Sequence, residues 1–219
     1  MKNLKKHLSL LLSLVLLLTL LPRLSLTARA ETYSGTCGKN LTWTLDTETG
    51  LLTIEGSGAM EYGPYSDDVP WYDYCSSIKT VSLPDGLTDI GQHAFNNCTN
   101  LTNVTIPYGV EYIGEFAFNY CTSLPSITIP DSVTGIGRTA FAFCTSLTSV
   151  TIPDSVTTMS IEVFYECTSL STVTIGCGIS SIDDYSFAGC SALETVNLDT
   201  PTVGRWFKEM TSITTVNLG

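Results

Sequence analysis

Basic residues are scarce in this chain of 219 residues, which contains 10 Lys and Arg against 21 Asp and Glu. Five of the ten lie within the first 29 positions, at Lys2, Lys5, Lys6, Arg23 and Arg29, and no acidic residue lies there. Beyond that segment, five basic residues stand against 21 acidic ones, a net charge of −16. Because a surface of this sign repels nucleic acid and anionic lipid, the sequence excludes nucleic-acid binding.

Long apolar runs are absent except for one near the N-terminus. Residues 8–22 are uncharged and apolar, follow three lysines, and precede Ala28-Arg29-Ala30, which has the small-x-small pattern of a cleavage site. The run has 15 residues, fewer than the roughly 20 that span a bilayer as a helix. The sequence predicts a secretory signal peptide at 1–30, export of the remaining chain and no membrane span after cleavage. A retained membrane anchor is the alternative.

Six cysteines recur at a fixed interval of 23 residues, which is the signature of a solenoid. They are Cys75, Cys98, Cys121, Cys144, Cys167 and Cys190. We call each unit that begins at one of these cysteines a rung, and number the rungs 1 to 6 from Cys75. Apolar residues stand three, six, eight, 12 and 15 positions after most of the cysteines, and a phenylalanine stands 20 positions after the first five. Stacked rungs can bury these columns, whereas a single rung cannot.

The two halves of a rung have different patterns. Positions six and eight are apolar between polar neighbours, which predicts a strand with one buried face. A proline follows in four rungs and ends the strand, because it lacks an N–H. The second half, such as GEFAFNYC in rung 2, predicts a turn and a short helical segment.

The repeat as a whole resembles a known family. Its pattern C-x-x-L-x-x-V-x-I-P-x-x-V-x-x-I-G-x-x-A-F-x-x-C is similar to the BspA-type leucine-rich repeat of secreted and surface bacterial proteins, over residues 75–219. The resemblance implies a right-handed leucine-rich-repeat solenoid, with a parallel sheet on the concave face and short helical or turn segments on the convex face. It also implies adhesion to host proteins, and it brings no catalytic motif.

Residues 31–74 resemble the module that often precedes such repeats. The alternating runs LTWTL and LLTIEG predict a β-hairpin. We expect this small N-terminal module to cap rung 1, with Trp43 and Trp71 burying the open end. The alternative is a carbohydrate-binding module in which Trp43, Trp71 and Tyr62 stack on sugars.

The last rung departs from the pattern. Met210 stands where another cysteine is due, and Val203, Trp206 and Phe207 are expected to occupy the core positions before it. The final segment TSITTVNLG predicts a strand that no convex segment follows. We therefore expect an uncapped edge. A structural or assembly piece joined through this edge, with self-association there, is a second alternative.

The eight cysteines are expected to be free thiols, and those of the column to lie in the core. Equivalent side chains on stacked rungs point the same way, which disfavours the disulfide torsion of about 90°, and a single file does not converge on a zinc ion. Cys37 and Cys177 lie outside the column. A Cys37–Cys75 bridge is the alternative.

Residues for catalysis or metal binding are also few. His93 is the one histidine beyond residue 30, and the same position holds a different residue type in each later rung. A Ser-His-acid triad would need partners that no motif supplies. Asp67-Asp68 and Asp183-Asp184 lack calcium-loop spacing. The sequence therefore predicts no enzyme, no catalytic residue, no cofactor and no metal site.

The outward-facing positions of the predicted concave strands form what we call the concave strip. They stand five and seven positions after each cysteine: Thr80, Ser82, Asn103, Thr105, Ser126, Thr128, Ser149, Thr151, Thr172, Thr174, Thr195 and Asn197. None is charged or aromatic, which disfavours a tight binding hot spot. Threonine as a strand former explains the strip without a ligand. The alternatives are weak repeated contact with a polymer and a lattice for ordered water.

Together these patterns predict a secreted or cell-surface, non-enzymatic interaction module. The expected partner is a host or cell-surface protein or glycan, bound along the concave strip.

Overall fold

The computed structural model describes residues 31–183, 185–199, 207 and 210–219. The predicted signal peptide and the predicted core residues Val203 and Trp206 lie outside the described residues. In the part that is described, no helix is both long and apolar enough to cross a membrane.

The N-terminal module provides the first strand of the solenoid. Strands β1 (Thr32–Gly38), β2 (Leu41–Asp46) and β3 (Leu51–Ala59) form an antiparallel meander, so the predicted hairpin is present with one further strand. The first half of β3 pairs in parallel with β4 (Thr80–Ser82), and its second half with β5 (Gly86–Ile90). A single strand therefore starts two parallel ladders.

The concave ladder continues from β4 through strands that pair in parallel, each residue opposite its equivalent in the next rung. These strands are β6 (Asn103–Val104), β9 (Ser149–Ile152), β11 (Thr172–Ile175), β12 (Thr195–Leu198) and β13 (Thr215–Leu218). This is the parallel sheet that the alternating pattern predicts.

A second ladder continues from β5, and the sequence pattern does not reveal it. It consists of β7 (Tyr112–Ile113), β8 (Gly135–Ile136) and β10 (Thr158–Met159), paired in parallel. Strands of two residues are too short to show an alternation. The inward residues Ile113 and Ile136 belong to an apolar column that sequence analysis did assign to the core, and both are buried.

The convex side of each rung is a series of β-turns, so of the predicted turn and short helical segment only the turns are present. Backbone N–H groups alternate between two kinds of partner. Ala94 donates to Gly91 in its own turn (3.2 Å), and Phe95 donates to Ala117 in the next rung (2.7 Å). A helix would direct each N–H to a carbonyl four residues back, which would leave none for the next rung. The helices among the described residues are two 3-10 helices, Ser66–Asp68 and Tyr72–Ser77.

The turns require left-handed backbone at two positions of most rungs, 18 and 22 residues after the cysteine. These residues have φ between 55° and 60°: His93, Asn97, Phe116, Tyr120, Thr139, Phe143, Glu162 and Glu166. The conformation costs a residue with a side chain about 1–2 kcal/mol. Hydrogen bonds to the next rung offset this cost, as when Phe116 donates to Arg138 (2.9 Å) and Tyr120 to Ala142 (2.9 Å).

A buried column of aromatic rings runs through the core. Consecutive rings of Phe95, Phe118, Phe141, Phe164 and Phe187 lie 5.1–5.5 Å apart between centroids. Trp71 extends the column at one end, 6.2 Å from Phe95, and Phe207 extends it at the other, 5.3 Å from Phe187. Phe207 therefore takes the core position expected for it, and Trp71 covers rung 1.

The cysteine column is explained by a second core contact. The Sγ of Cys144, which begins rung 4, donates to the carbonyl oxygen of Phe118 in rung 2 (3.2 Å), 26 residues earlier in the chain, and the same bond recurs from Cys121, Cys167 and Cys190. All eight cysteines are free thiols, as predicted, and the alternative of a Cys37–Cys75 bridge is wrong. A thiol suits this position because it fills apolar space and still supplies a weak donor.

The concave ladder is interrupted at residues 126–129. In neighbouring rungs, the N–H four positions after the cysteine donates to the rung before, as Thr102 does to Lys79 (2.9 Å) and Thr148 to Pro125 (3.2 Å). Pro125 holds this position in rung 3 and has no N–H. Within the described residues, the backbone of 126–129 forms no hydrogen bond with either neighbouring rung. The strands consequently divide into a nine-stranded and a four-stranded sheet.

Replacing Pro125 with threonine is expected to close this interruption, because threonine adds the N–H and the hydroxyl that Thr148 uses in rung 4. The amides of 126–129 should then exchange with deuterium about tenfold more slowly. The free energy of unfolding should change little, since about 1 kcal/mol from new hydrogen bonding is offset by about 0.4–1 kcal/mol from the lost rigidity of proline. Exchange at 149–152 is the internal control. Equal protection of 126–129 and 149–152 in the unsubstituted protein would contradict the interruption.

Candidate functional site

The concave strip faces outward along its whole length. Each of its twelve residues is exposed or half-buried, whereas the residue between each pair, such as Val104, Val150 or Val173, is buried. The alternation of a half-buried strand therefore positions these side chains, as the sequence predicts. The strip offers hydroxyl and amide groups and no charge.

Many serines and threonines of the rungs that lie outside the strip have a different role. Their hydroxyls donate to the backbone carbonyl of the rung before, as Thr145 does to Thr122 (3.4 Å) and Thr157 does to Thr134 (3.3 Å). Such bonds repeat at several positions of the rung and link rungs at the surface. The high content of hydroxyl residues in the repeat is thus largely structural.

Within the strip, hydrogen bonds between side chains of neighbouring rungs occur at the C-terminal end. There Asn197 Nδ2 donates to Thr174 Oγ1 (3.1 Å), and Asn217 Nδ2 donates to Asn197 Oδ1 (2.7 Å). In rungs 3 and 4, within residues 31–183, the hydroxyls of Ser126, Thr128, Ser149 and Thr151 have no side-chain hydrogen bond of this kind. These hydroxyls remain available to a ligand.

A cleft of about 300 Å³ opens in the same part of the strip, where the ladder is interrupted. Its lining residues are Ser126, Ile127, Thr128, Ile129, Asp131, Ser149, Val150, Thr151 and Pro153. Sequence analysis predicted four of these as strip residues and missed the cleft. The signal for it was Pro125, the one proline at a position where the other rungs supply an N–H donor.

The groups that line the cleft are suited to binding a polar ligand. Hydroxyls, unpaired backbone groups and the exposed carboxylate of Asp131 line it. These groups can donate and accept hydrogen bonds with a polar ligand. No histidine or cysteine contributes to the lining that would supply a general base or a thiolate nucleophile.

The tryptophans proposed to stack on sugars are not available to them. Trp71 is fully buried and Trp43 is 5% exposed, with their rings 5.7 Å apart in an edge-on arrangement. Tyr62 is half-buried and meets Trp71 edge-on at 6.2 Å. Because stacking on a sugar needs an open ring face, the alternative of a carbohydrate-binding module built on Trp43 and Trp71 is wrong. Both rings instead pack into the end of the core.

The histidine and the acidic pairs also have local structural contacts. His93 is half-buried and stacks on Phe116 at 4.8 Å, and burial lowers the pKa of its imidazole. Asp68 Oδ2 accepts the N–H of Tyr65 (3.0 Å), and Asp183 Oδ2 accepts that of Tyr185 (2.9 Å); Asp184 lies outside the described residues. Across the described ranges, no three His, Cys, Asp or Glu side chains converge on one point.

The thiols differ sharply in exposure. Burial raises the pKa of Cys144 to about 12 and that of Cys37 to about 11. Cys177 is exposed, and a hydrogen bond to Asp154, together with the charge of that carboxylate, raises the pKa of its thiol. Asp154 Oδ1 also accepts the N–H of Cys177 (2.8 Å).

Cys177 is expected to be the one thiol that reacts with a disulfide reagent such as Ellman's in the folded protein, with all eight reacting in denaturant. Asp154→Asn should accelerate its alkylation at mildly alkaline pH. Removal of the carboxylate lowers the pKa of the Cys177 thiol, and the thiolate fraction rises at every pH below that pKa. Asp131→Asn, at the equivalent position of rung 3, is the control and should leave the rate unchanged. An unchanged or slower rate in Asp154→Asn would contradict the assignment.

The repeat and the fold of this chain are similar to those of known proteins. A family model described as BspA type leucine rich repeat region matches six copies across residues 70–194, more than half of the chain. None of the curated proteins matches the chain.

Two solved structures have a similar fold. The T. pallidum leucine-rich-repeat protein TpLRR is 24% identical, with a TM-score of 0.60, and the alignment covers 83% of this chain and 81% of that one. The pneumococcal vaccine antigen PcpA is 21% identical, with a TM-score of 0.59, over 80% of this chain and 40% of that one. At these identities the likeness shows the fold alone. Since the family model matches more than half of the chain, the chain belongs to the BspA-type leucine-rich-repeat family.

Proposed function

We propose that this chain is a non-enzymatic adhesion module, secreted or held at the cell surface, which binds a host or cell-surface protein or glycan through its concave strip. The observation that carries the proposal is the cleft in rungs 3 and 4. There, exposed hydroxyls without partners meet backbone groups without partners, beside the carboxylate of Asp131. Leucine-rich repeats of this family are protein-interaction scaffolds, which supports a binding role.

The strip is suited to an extended partner. Its hydroxyl columns repeat at the spacing of parallel strands, about 4.8 Å, over six rungs, so a polymer can make the same contact several times. Each such hydrogen bond contributes only about 0.5–1.5 kcal/mol net. Affinity would therefore come from repetition, with the cleft as the place where unpaired backbone groups add to it.

The proposed location and lack of catalysis have separate supports. The basic head, apolar run and small-x-small site of residues 1–30 are those of an export signal. Against catalysis, the imidazole of His93 packs on Phe116 and meets Asn96 Nδ2 at 3.5 Å, and neither neighbour is a nucleophile. Asp67 and Asp68 lie in an acidic loop, where the carboxylate of Asp68 accepts a local hydrogen bond from Tyr65.

Thr128→Arg combined with Thr151→Arg is expected to abolish adhesion, because two large cations would fill the cleft. The test is retention of the protein on immobilised matrix proteins and on a glycan array, with loss of at least about tenfold in affinity. Thr42→Arg with Thr44→Arg is the matched control, since both threonines are exposed on strand β2 and the change in charge is the same. Absence of retention by the folded, unsubstituted protein, or equal loss in both double variants, would argue against the proposal.

A second candidate function is assembly through the edge of β13. Val216 and Leu218 are 53% and 67% exposed, although their equivalents in rung 6, Val196 and Leu198, are buried. Strand β13 pairs with β12 on one side. We propose that its other edge pairs with β13 of a second copy, which would cover these two side chains. The segment 211–219 contains no charged side chain, so two copies would not repel each other there through side chains.

Val216→Lys with Leu218→Lys is expected to yield a monomer, whereas the unsubstituted protein should show a dimer whose fraction rises with concentration. Light scattering after size exclusion gives the mass directly. Thr215→Lys with Asn217→Lys places the same charges on the outward face of the same strand and should weaken the dimer far less. If the unsubstituted protein is monomeric at every concentration, assembly through this edge is refuted.

A further inference from the structure

Rung 2 differs from the other rungs on its outer surface. It carries an aromatic residue at every fourth position, Tyr108, Tyr112, Phe116 and Tyr120, all of them exposed or half-buried. The equivalent positions of rung 4 are all polar: Asp154, Thr158, Glu162 and Glu166. Because rung 4 has the same backbone with polar residues there, the fold does not require these rings.

Two of these rings extend over neighbouring rungs. Phe116 stacks on His93 of rung 1, with centroids 4.8 Å apart and planes 6° from parallel. Tyr112 lies over Gly135 of rung 3, where an added Cβ would come within 3.0 Å of two of its ring carbons. Tyr112 remains 41% exposed. His93, Tyr112 and Phe116 thus place three rings on the outer side of rungs 1 and 2, and Tyr112 reaches over rung 3.

Carboxylates border these rings. Asp89 pairs with Tyr112 across strands β5 and β7, so the two side chains stand next to each other on the outer face of the second ladder. Glu115 lies close enough to both Tyr112 and His93 to affect each: burial raises the pKa of Tyr112 and Glu115 raises it further, whereas in His93 the charge of Glu115 opposes the effect of burial. We call Asp89, His93, Tyr112, Glu115 and Phe116 the aromatic-acidic surface.

Among the described residues, the carboxylate of Glu115 forms no ion pair. Arg138 holds the equivalent position in rung 3, and its Nη2 lies 3.5 Å from Glu162 Oε2, on the side away from rung 2. That is the ion pair found among the described residues. A partner that brings a cation to Glu115 would therefore not displace an existing ion pair.

We propose that the aromatic-acidic surface is a docking site for an arginine-bearing segment of a partner protein. A guanidinium stacks on an aromatic face and also pairs with a carboxylate, so it uses both kinds of group that this surface places together. Tyrosine is a typical hot-spot residue, and the concave strip contains none. The net charge of −16 from residue 31 onward attracts a basic partner at long range.

This inference rests on the chain being an interaction module, as proposed above, and not on the concave strip. A neutral glycan is a different occupant, because it would use the face of Tyr112 and gain little from Glu115. An anionic partner would be repelled by the carboxylates of Asp89 and Glu115.

The test is the binding of a fluorescently labelled arginine-glycine repeat peptide to the protein, measured by anisotropy. Tyr112→Ala and Glu115→Gln are each expected to weaken binding about tenfold, and Tyr112→Phe should retain it. Two matched controls should bind within about twofold of the unsubstituted protein. They are Tyr185→Ala, which removes a tyrosine 61% exposed in rung 5, and Glu194→Gln, which makes the same charge change at an exposed site in rung 6.

Each of the following four outcomes would overturn the inference. Equal weakening by Glu115→Gln and Glu194→Gln would mean general attraction to an acidic protein. Loss of binding in Thr128→Arg with Thr151→Arg alone would place the peptide in the cleft. Tyr112-dependent binding of a neutral oligosaccharide, with no effect of Glu115→Gln, would identify a sugar site. If the peptide does not bind at all, the inference fails, while retention on matrix proteins and glycans still decides the proposed function independently.

Discussion

The stacking of each residue on its equivalent one rung away is the constraint on which the rest of the structure depends. Phenylalanine rings 5.1–5.5 Å apart fill the core only if every rung supplies the same ring at the same place. The thiols of Cys121, Cys144, Cys167 and Cys190 each reach a phenylalanine carbonyl 26 residues earlier in the chain on the same condition. An inserted or deleted residue would shift every column at once, because interiors are packed too densely to absorb the change. The monotony of the repeat follows from this requirement.

The same constraint explains which parts of the fold could be predicted from the sequence. Residues such as Val104 and Ile152 alternate with polar neighbours, so the sequence predicts their strands and their buried face directly. The second ladder cannot, since two residues such as Tyr112 and Ile113 show no period. The convex turns cannot either, because a phenylalanine or threonine in left-handed backbone runs against local preference. Phe116 and Thr139 adopt it because their N–H groups bond to the next rung, a contact between residues more than 20 positions apart.

The candidate sites were predictable to a smaller degree. Alternation locates the outward face of the concave strip, and the need for an end cap accounts for the buried Trp71. The cleft was missed because its cause is the absence of an atom: Pro125 removes one N–H from one rung and leaves the apolar pattern unchanged. The aromatic-acidic surface was missed for a related reason. Tyr112 and Phe116 stand at positions where the columns vary, and their proximity to His93 and Gly135 arises only when rungs stack.

The outward positions are free to vary because they contribute little to stacking. Asp154 and Tyr108 occupy equivalent positions on the same backbone, and exchange of such exposed residues typically changes stability by less than about 0.5 kcal/mol. A solenoid can therefore gain a binding surface in one rung without repacking its core. By this reasoning, departures from the repeat are more informative about binding than the repeat itself. Many of the recurring hydroxyls link rungs, whereas Pro125 interrupts a ladder and Tyr112 and Glu115 stand in columns that vary. Each of these three lies where the chain offers unpaired groups to a partner.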